Sequence, residues 1–197
     1  MTRHVDEVEQ ALYRYAAGAF PMDDELAPDL PWYVAPQRAV FELDEEARAA
    51  LRRKVRRDVR ACEAFRLGVD EAYDTVLELC AAPPSGEGVW ITPRLALLYR
   101  RLHRAGFAHS FELWTPEGEL AAGILGIVIG RAAMLESMRR RRPAAGNALL
   151  SRTLDHLAAA GMVLCDIQLP TPHTRRLGCV LVEQAEYEAR LQRAIGG

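Results

Sequence analysis

The sequence has no apolar run long enough to cross a bilayer. Its longest, Leu120 to Ile129, falls far short of the about 20 residues a span requires and is interrupted by Gly123 and Gly126, so it reads as a buried strand. A basic start followed by an apolar core, the mark of a secretory leader, is missing from MTRHVDEVEQ. A cytoplasmic protein with no membrane partner is therefore expected. The cysteines, Cys62, Cys80, Cys165 and Cys179, have no CxxC spacing, which speaks against a metal ribbon or a redox motif and fits free thiols in a reducing compartment. His103, His109, His156 and His173 are scattered, with no pair at metal-ligand spacing. With only 14 Gly and 11 Pro, collagen-like and low-complexity classes are excluded. What is present is a packed chain, 50% apolar and 26% charged. Its 197 residues allow one well-buried domain, or one domain plus a small module, but not two full domains.

The formal charge of −2 and pI near 6.2 exclude a generally basic nucleic-acid coat. The average conceals two basic knots: Arg52, Arg53, Lys54, Arg56, Arg57 and Arg60 against Asp58 alone, and the unbroken run Arg139-Arg140-Arg141-Arg142. Either is a solvated face or a local polyanion site whose binding would weaken steeply with salt.

Apolar spacing predicts a helix over residues 5–17, carried by Val5, Val8, Leu12 and Tyr15, and then a Pro-rich loop holding Trp32-Tyr33. That aromatic pair either staples the N-terminal segment to the body or offers a stacking surface to a ligand. A charged helix follows at about 43–57, a strand at 65–69, and a helix capped by Asp70 with Tyr73, Val76, Leu77 and Cys80 inward. Pro83 to Gly88 is a loop. Thr92-Pro93 starts another helix, with Leu95, Leu98, Tyr99 and Leu102 as its buried stripe. Strands are predicted at 108–115, 119–130 and 132–138, antiparallel across the turn Pro116-Glu117-Gly118. A helix at 146–160 then joins the third of these to a strand at 162–168, which makes that pair parallel. A short helix, a short strand and a final helix complete an α+β chain with a mixed β-sheet flanked by helices. Residues 1–42 form a short N-terminal module and 43–197 the main domain.

Strict alternation puts Met134, Glu136 and Met138 on one face of their strand, and Leu164, Asp166 and Gln168 on one face of the next. Polar groups at the carboxyl ends of parallel strands lie where ligand sites form. An Asp beside a Gln can orient an attacking amine and polarise a carbonyl. The alternative is that the two residues cap the following turn. Ser137 and Ser151 lack a nucleophile elbow, which disfavours covalent catalysis.

The run from Arg141 to Gly146, RRPAAG, precedes a helix and resembles a degenerate form of the pyrophosphate loop of GNAT acetyltransferases. A wider resemblance covers residues 11 to 182. It rests on Tyr15-x-x-Gly18-x-Phe20-Pro21, Trp32-Tyr33, Arg38-Ala39-Val40, Trp90-Ile91-Thr92 and Leu102-His103-x-x-Gly106-x-Ala108-His109-Ser110-x-Glu112-x-Trp114. It continues through Glu136-Ser137-Met138, Asp166-x-Gln168, His173-Thr174 and Leu177-Gly178. In this order the runs resemble the leucyl/phenylalanyl-tRNA–protein transferases. The resemblance implies a GNAT-like domain behind a reduced N-terminal module, no metal and no cofactor. It also implies transfer of Leu, Phe or Met from aminoacyl-tRNA to the α-amine of proteins beginning with Arg or Lys, which marks them for N-degron degradation.

Carried onto this sequence, the resemblance makes Asp166 and Gln168 the catalytic pair, one positioning and deprotonating the amine and the other holding the carbonyl. Glu136 would lie at the foot of the amino-acid pocket, with Met138, Leu150 and Ile124 as its wall. Trp114, Trp32 and Tyr33 would stack on the terminal adenosine. Arg139, Arg140, Arg141, Arg142, Arg53, Lys54 and Arg57 would meet tRNA phosphates. A monomer is expected. The sequence departs from the family's pattern at Arg139-Arg140, Gly146-Asn147, Pro36-Gln37 and Thr171, which leaves amino-acid preference and acceptor open. An acyl-CoA-dependent N-acyltransferase and a non-catalytic relative that binds tRNA or an N-terminus are the competing expectations.

Overall fold

A computed structural model describes residues 6–24, 26–82 and 89–196. Val5 and the predicted loop Pro83 to Gly88 lie outside the described residues. In chain order the elements are α1 (Glu7–Ala16), β1 (Phe20–Pro21), β2 (Trp32–Tyr33), β3 (Gln37–Phe41), α2 (Glu45–Lys54), α3 (Arg56–Ala61), β4 (Arg66–Val69), α4 (Tyr73–Ala81), α5 (Pro93–Arg104), β5 (Ala108–Trp114), β6 (Leu120–Ile129), β7 (Ala132–Arg140), α6 (Ala145–Ala159), β8 (Leu164–Asp166), α7 (Pro172–Leu177), β9 (Val180–Glu183) and α8 (Gln184–Ile195).

Seven strands form one sheet in the order β4-β5-β6-β7-β8-β3-β9, and β1 pairs with β2 in a separate ribbon. β7 and β8 run parallel, joined through α6, and the other pairs are antiparallel. This is the expected mixed sheet. β3, which ends the segment expected as an N-terminal module, is inserted between β8 and β9. One core lies under α1, α4, α5 and α8, with Tyr15, Leu77, Leu98 and Leu191 among its buried side chains. The opposite face carries α2, α3 and α6 over Leu51, Leu149, Leu154 and Phe111.

Local chemistry explains where these elements begin. Thr92 Oγ1 accepts from the Leu95 N–H at 3.3 Å with proline in the first turn of α5, as predicted. Asp70, predicted to cap α4, does something else. At φ +57 it turns back to β5, accepting from the Ser110 N–H at 2.8 Å and lying 2.7 Å from His109 Nδ1. α4 starts without a side-chain cap, and the buried carboxylate of Glu112 accepts from the N–H of Ala72, the residue just before the helix, at 3.3 Å.

Three further expectations give way to tertiary packing. The helix predicted over 43–57 breaks at Val55 into α2 and α3. Val55 is buried with Leu51, and the break lets Val59 reach the same core. The strand predicted over 162–168 closes at Asp166, because Gln168 adopts φ +55. In β7 the register slips: Leu135 pairs with Gly126 and Ser137 with Leu125, so Glu136 is an extra, unpaired residue. That bulge reverses the alternation. Met134 enters the core beneath α5, whereas Met138 packs in the core beneath α6, so the two methionines do not share a face.

Candidate active site

The bulge aims Glu136 at the turn that follows β8. Its Oε1 accepts from the Gln168 Nε2–H at 3.2 Å and its Oε2 from the Tyr99 hydroxyl at 3.1 Å. Tyr15 from α1 adds a third group beside this pair. Burial pushes the Glu136 carboxyl up to about 8; the hydrogen bond from Tyr99 opposes the rise, the neighbouring charge of Asp166 adds to it, and Arg38 opposes it. Both tyrosine hydroxyls are in turn driven well above their ordinary range, first by burial and then by Glu136.

Gln168 owes its conformation to Asp166. The Gln168 N–H donates to Asp166 Oδ1 at 2.8 Å, which closes a tight turn, and its carbonyl accepts from the Ala39 N–H at 3.0 Å. Asp166 is completely buried and held by Arg38 from β3, itself 1% exposed. Arg38 Nε reaches Asp166 Oδ1 at 3.3 Å and its Nη2 bonds Oδ2. The Tyr187 hydroxyl donates to Oδ2 at 3.0 Å. The guanidinium also donates to the Gly18 carbonyl and lies over the Tyr187 ring at 4.3 Å. Every buried charge here has a partner, as the cost of an isolated one demands.

Around this polar centre lie two cavities. One, of about 250 Å³, is lined by Phe41, Ile124, Leu135, Met138 and Leu150 with Glu136 and Gln168 at its edge. The residues predicted for the pocket are thus brought together, although Met138 arrives because of the bulge rather than by alternation. The other, of about 100 Å³, has Phe20, Met22, Trp90 and Leu169 on its walls and the same Glu136 and Gln168 at its base. Asp166 lines neither.

Trp32, Tyr33 and Trp114 line neither of these cavities. Trp32 stands edge-to-face against Tyr15 at 5.1 Å and packs on the core, the stapling alternative. Tyr33 is exposed and meets Phe20 at 6.3 Å. Trp114 sits at the β4–β5 end of the sheet with Arg66 over its ring at 5.6 Å and lines neither cavity. Trp90, to which sequence reasoning gave no role, lines the smaller cavity together with Gln168. Its signal was present in the run Trp90-Ile91-Thr92, as it was for Arg38 in Arg38-Ala39-Val40.

Arg139 and Arg140 continue from Met138 into an open cavity of about 520 Å³ with Gly146, Asn147 and His173. Asn147 bridges Asp58 and His173 there. Arg141 is exposed, and Arg142 is paired with Glu119. Arg53, Lys54 and Arg57 are exposed on α2 and α3. Cys62, Cys80 and Cys165 are buried free thiols, and Cys179 is partly exposed. Among the described residues, no helix is long and apolar enough to cross a membrane.

An apolar pocket ending on a buried Glu–Gln–Tyr cluster at β7 and β8, in the middle of a mixed sheet, has the form suited to a group-transfer enzyme: an apolar wall beside groups that can hold a proton. The family model for leucyl/phenylalanyl-tRNA protein transferase matches residues 42–192. A leucyl/phenylalanyl-tRNA–protein transferase of Synechococcus sp. (strain JA-3-3Ab) is 40% identical over 189 residues, covering 96% of this chain and 95% of the relative. That of Deinococcus radiodurans is 38% identical over 185 residues, covering 92% and 85%. The chain belongs to this family. Among solved structures it is similar to FemX, with TM-score 0.60 at 13% identity over 89% of this chain and 66% of that one. It is also similar to L-PGS from Bacillus licheniformis, with TM-score 0.50 at 13% identity over 96% and 70%. The α+β, GNAT-like class expected from the sequence is the class found.

Proposed function

We propose that this protein transfers leucine, phenylalanine or methionine from aminoacyl-tRNA to the α-amine of proteins that begin with Arg or Lys, marking them for N-degron degradation. The observation that carries the reading is the apolar cavity of about 250 Å³ opening directly onto Gln168 and Glu136. An apolar cavity of roughly 150 Å³ already holds benzene, so a leucine or phenylalanine side chain fits between Ile124, Met138 and Leu150. The bound side chain would bring its ester carbonyl to Gln168.

The ester is already activated, so the enzyme's work is to hold amine and ester together and to handle one proton. In this reading Gln168 contacts the reacting groups and Asp166, itself held by Arg38, holds Gln168. The terminal adenosine lies across the mouth of the smaller cavity, which is too small to enclose it, with Trp90 on one side and Phe20 and Pro21 of β1 on the other. Arg139 and Arg140 meet phosphates of the tRNA 3′ end, and the exposed Arg53, Lys54 and Arg57 meet phosphates farther along the acceptor stem. The protein acts as a cytoplasmic monomer.

The test is a transfer assay with purified protein, labelled Leu-, Phe- and Met-tRNA, and a peptide beginning with Arg. Label moving onto the peptide, and not onto one beginning with Glu, is the expected result. A folded preparation that moves none of the three, or that acylates the peptide from an acyl-CoA instead, refutes the reading.

A further inference from the structure

We propose that Glu136, and not Asp166, accepts the proton of the attacking amine, and that its bond to Gln168 turns that residue's amide oxygen toward the substrate. The inference rests on the aminoacyl-transfer reading above. A carboxylate offers about four lone-pair sites, and those of Asp166 are taken by Arg38 Nε, Arg38 Nη2, the Tyr187 hydroxyl and the Gln168 N–H. Asp166 is also sealed from both cavities. A proton or an amine could reach it only by displacing one of those donors.

Glu136 is open where Asp166 is closed. Among the described residues lining the two cavities it is the only carboxylate, and it takes one donor on each oxygen, Gln168 Nε2 and Tyr99, leaving capacity for a third. Because the Gln168 amide nitrogen is committed to Glu136, the amide oxygen is left to accept from the amine. One carboxylate thus anchors the Gln168 backbone and the other its side chain.

The groups facing Glu136 are Tyr15 from α1, Tyr99 from α5, Arg38 from β3, Asp166 from β8 and Tyr187 from α8. Burial among them raises the carboxyl to about 8, which matches an α-amine, whose ordinary value is about 7.7–8.0. A proton then passes between the two at little cost. In the step itself the neutral amine nitrogen attacks the ester carbonyl carbon and forms the C–N bond, and its proton goes to the Glu136 carboxylate. The ester C–O bond breaks, and the departing ribose oxygen takes that proton, which returns Glu136 to its ionised form.

The experiment measures kcat and KM from pH 6 to 9.5 with saturating charged tRNA and an Arg-initiated peptide, for wild type, Glu136→Gln and Tyr99→Phe. Wild-type kcat is expected to rise to a plateau with a midpoint near 8. Glu136→Gln should lose about 100-fold or more in kcat with a smaller change in KM. Tyr99→Phe should move the midpoint upward, because a donor to the charged carboxylate is gone while the peptide's own amine is unchanged. The Glu136 carboxyl carbon, followed by ¹³C NMR without turnover, should titrate at the same midpoint and shift with Tyr99→Phe. A Glu136→Gln rate within tenfold of wild type, or a kinetic midpoint indifferent to Tyr99→Phe, overturns the proposal while leaving the transfer function standing. Should Glu136→Gln fail to fold, the Tyr99→Phe shift alone decides. Wild-type protein that transfers nothing overturns the function, and this inference with it.

Discussion

Removing Arg38 tests the architecture of the centre more sharply than removing any residue that lines a cavity. Arg38→Met keeps an unbranched side chain in the slot but leaves Asp166, fully buried, without its counter-charge. Breaking a buried pair in this way costs about 3–5 kcal/mol, because the stranded charge is the penalty rather than the lost attraction. For a domain near 200 residues each kcal/mol moves Tm by about 2–4 °C, so Tm should fall by roughly 6–20 °C. The second variant separates charge from packing. Arg38→Met with Asp166→Asn removes the stranded charge and keeps an oxygen that can accept from the Gln168 N–H, so the double variant should be more stable than Arg38→Met alone by at least about 1 kcal/mol. Thermal and urea unfolding followed by circular dichroism measures both. A Tm for Arg38→Met within 2 °C of wild type, or a double variant less stable than the single, refutes the argument that Asp166 is a charge held in place by Arg38.

The same centre shows how far the sequence could be followed. Elements set by local chemistry were legible: the Thr92-Pro93 start of α5, the apolar stripe behind it, and the parallel relation of β7 and β8 enforced by the length of α6. Glu136, Met138, Leu150 and Ile124 were legible as one pocket only through the family resemblance. Alternation grouped Met134 with Glu136 and Met138, whereas a single inserted residue at Glu136 sends Met134 and Met138 into opposite cores, and nothing local marks a bulge. Arg38 illustrates a second limit. The run Arg38-Ala39-Val40 marks Arg38 without naming its partner, and only the insertion of β3 between β8 and β9 puts it beside Asp166, 128 residues away. Asp70 fails for a related reason. Its neighbours predict a cap, but β5 supplies better donors, and α4 begins without a side-chain cap.

Four further consequences can be measured. Gly123 lies where a Cβ would come within 2.7 Å of Val76 Cγ1, so Gly123→Ala should cost about 1–3 kcal/mol by urea unfolding, and Val76→Ala in the same chain should return part of it. No recovery would mean that α4 and β6 do not set this limit. Leu150→Phe narrows the cavity between Ile124 and Met138 and should lower kcat/KM for Phe-tRNA more than for Leu-tRNA, by about tenfold; equal losses would remove Leu150 from the pocket wall. Replacing Arg139 and Arg140 by alanine should weaken binding of charged tRNA and lower the slope of log affinity against log salt by about 1 for each phosphate no longer neutralised, with the KM for the peptide unchanged. Last, Glu136 makes stability fall with pH. Its folded value of about 8 stands above the ordinary 4.5, so the fold binds its proton more tightly than the unfolded chain does. The stabilisation is complete below about 4.5 and drains away as pH climbs through 8. Glu136→Gln cannot titrate, so the difference in unfolding free energy between variant and wild type should shift in the variant's favour from pH 5 to pH 8. A difference that stays flat over that interval would mean that the carboxyl is not held protonated by its burial.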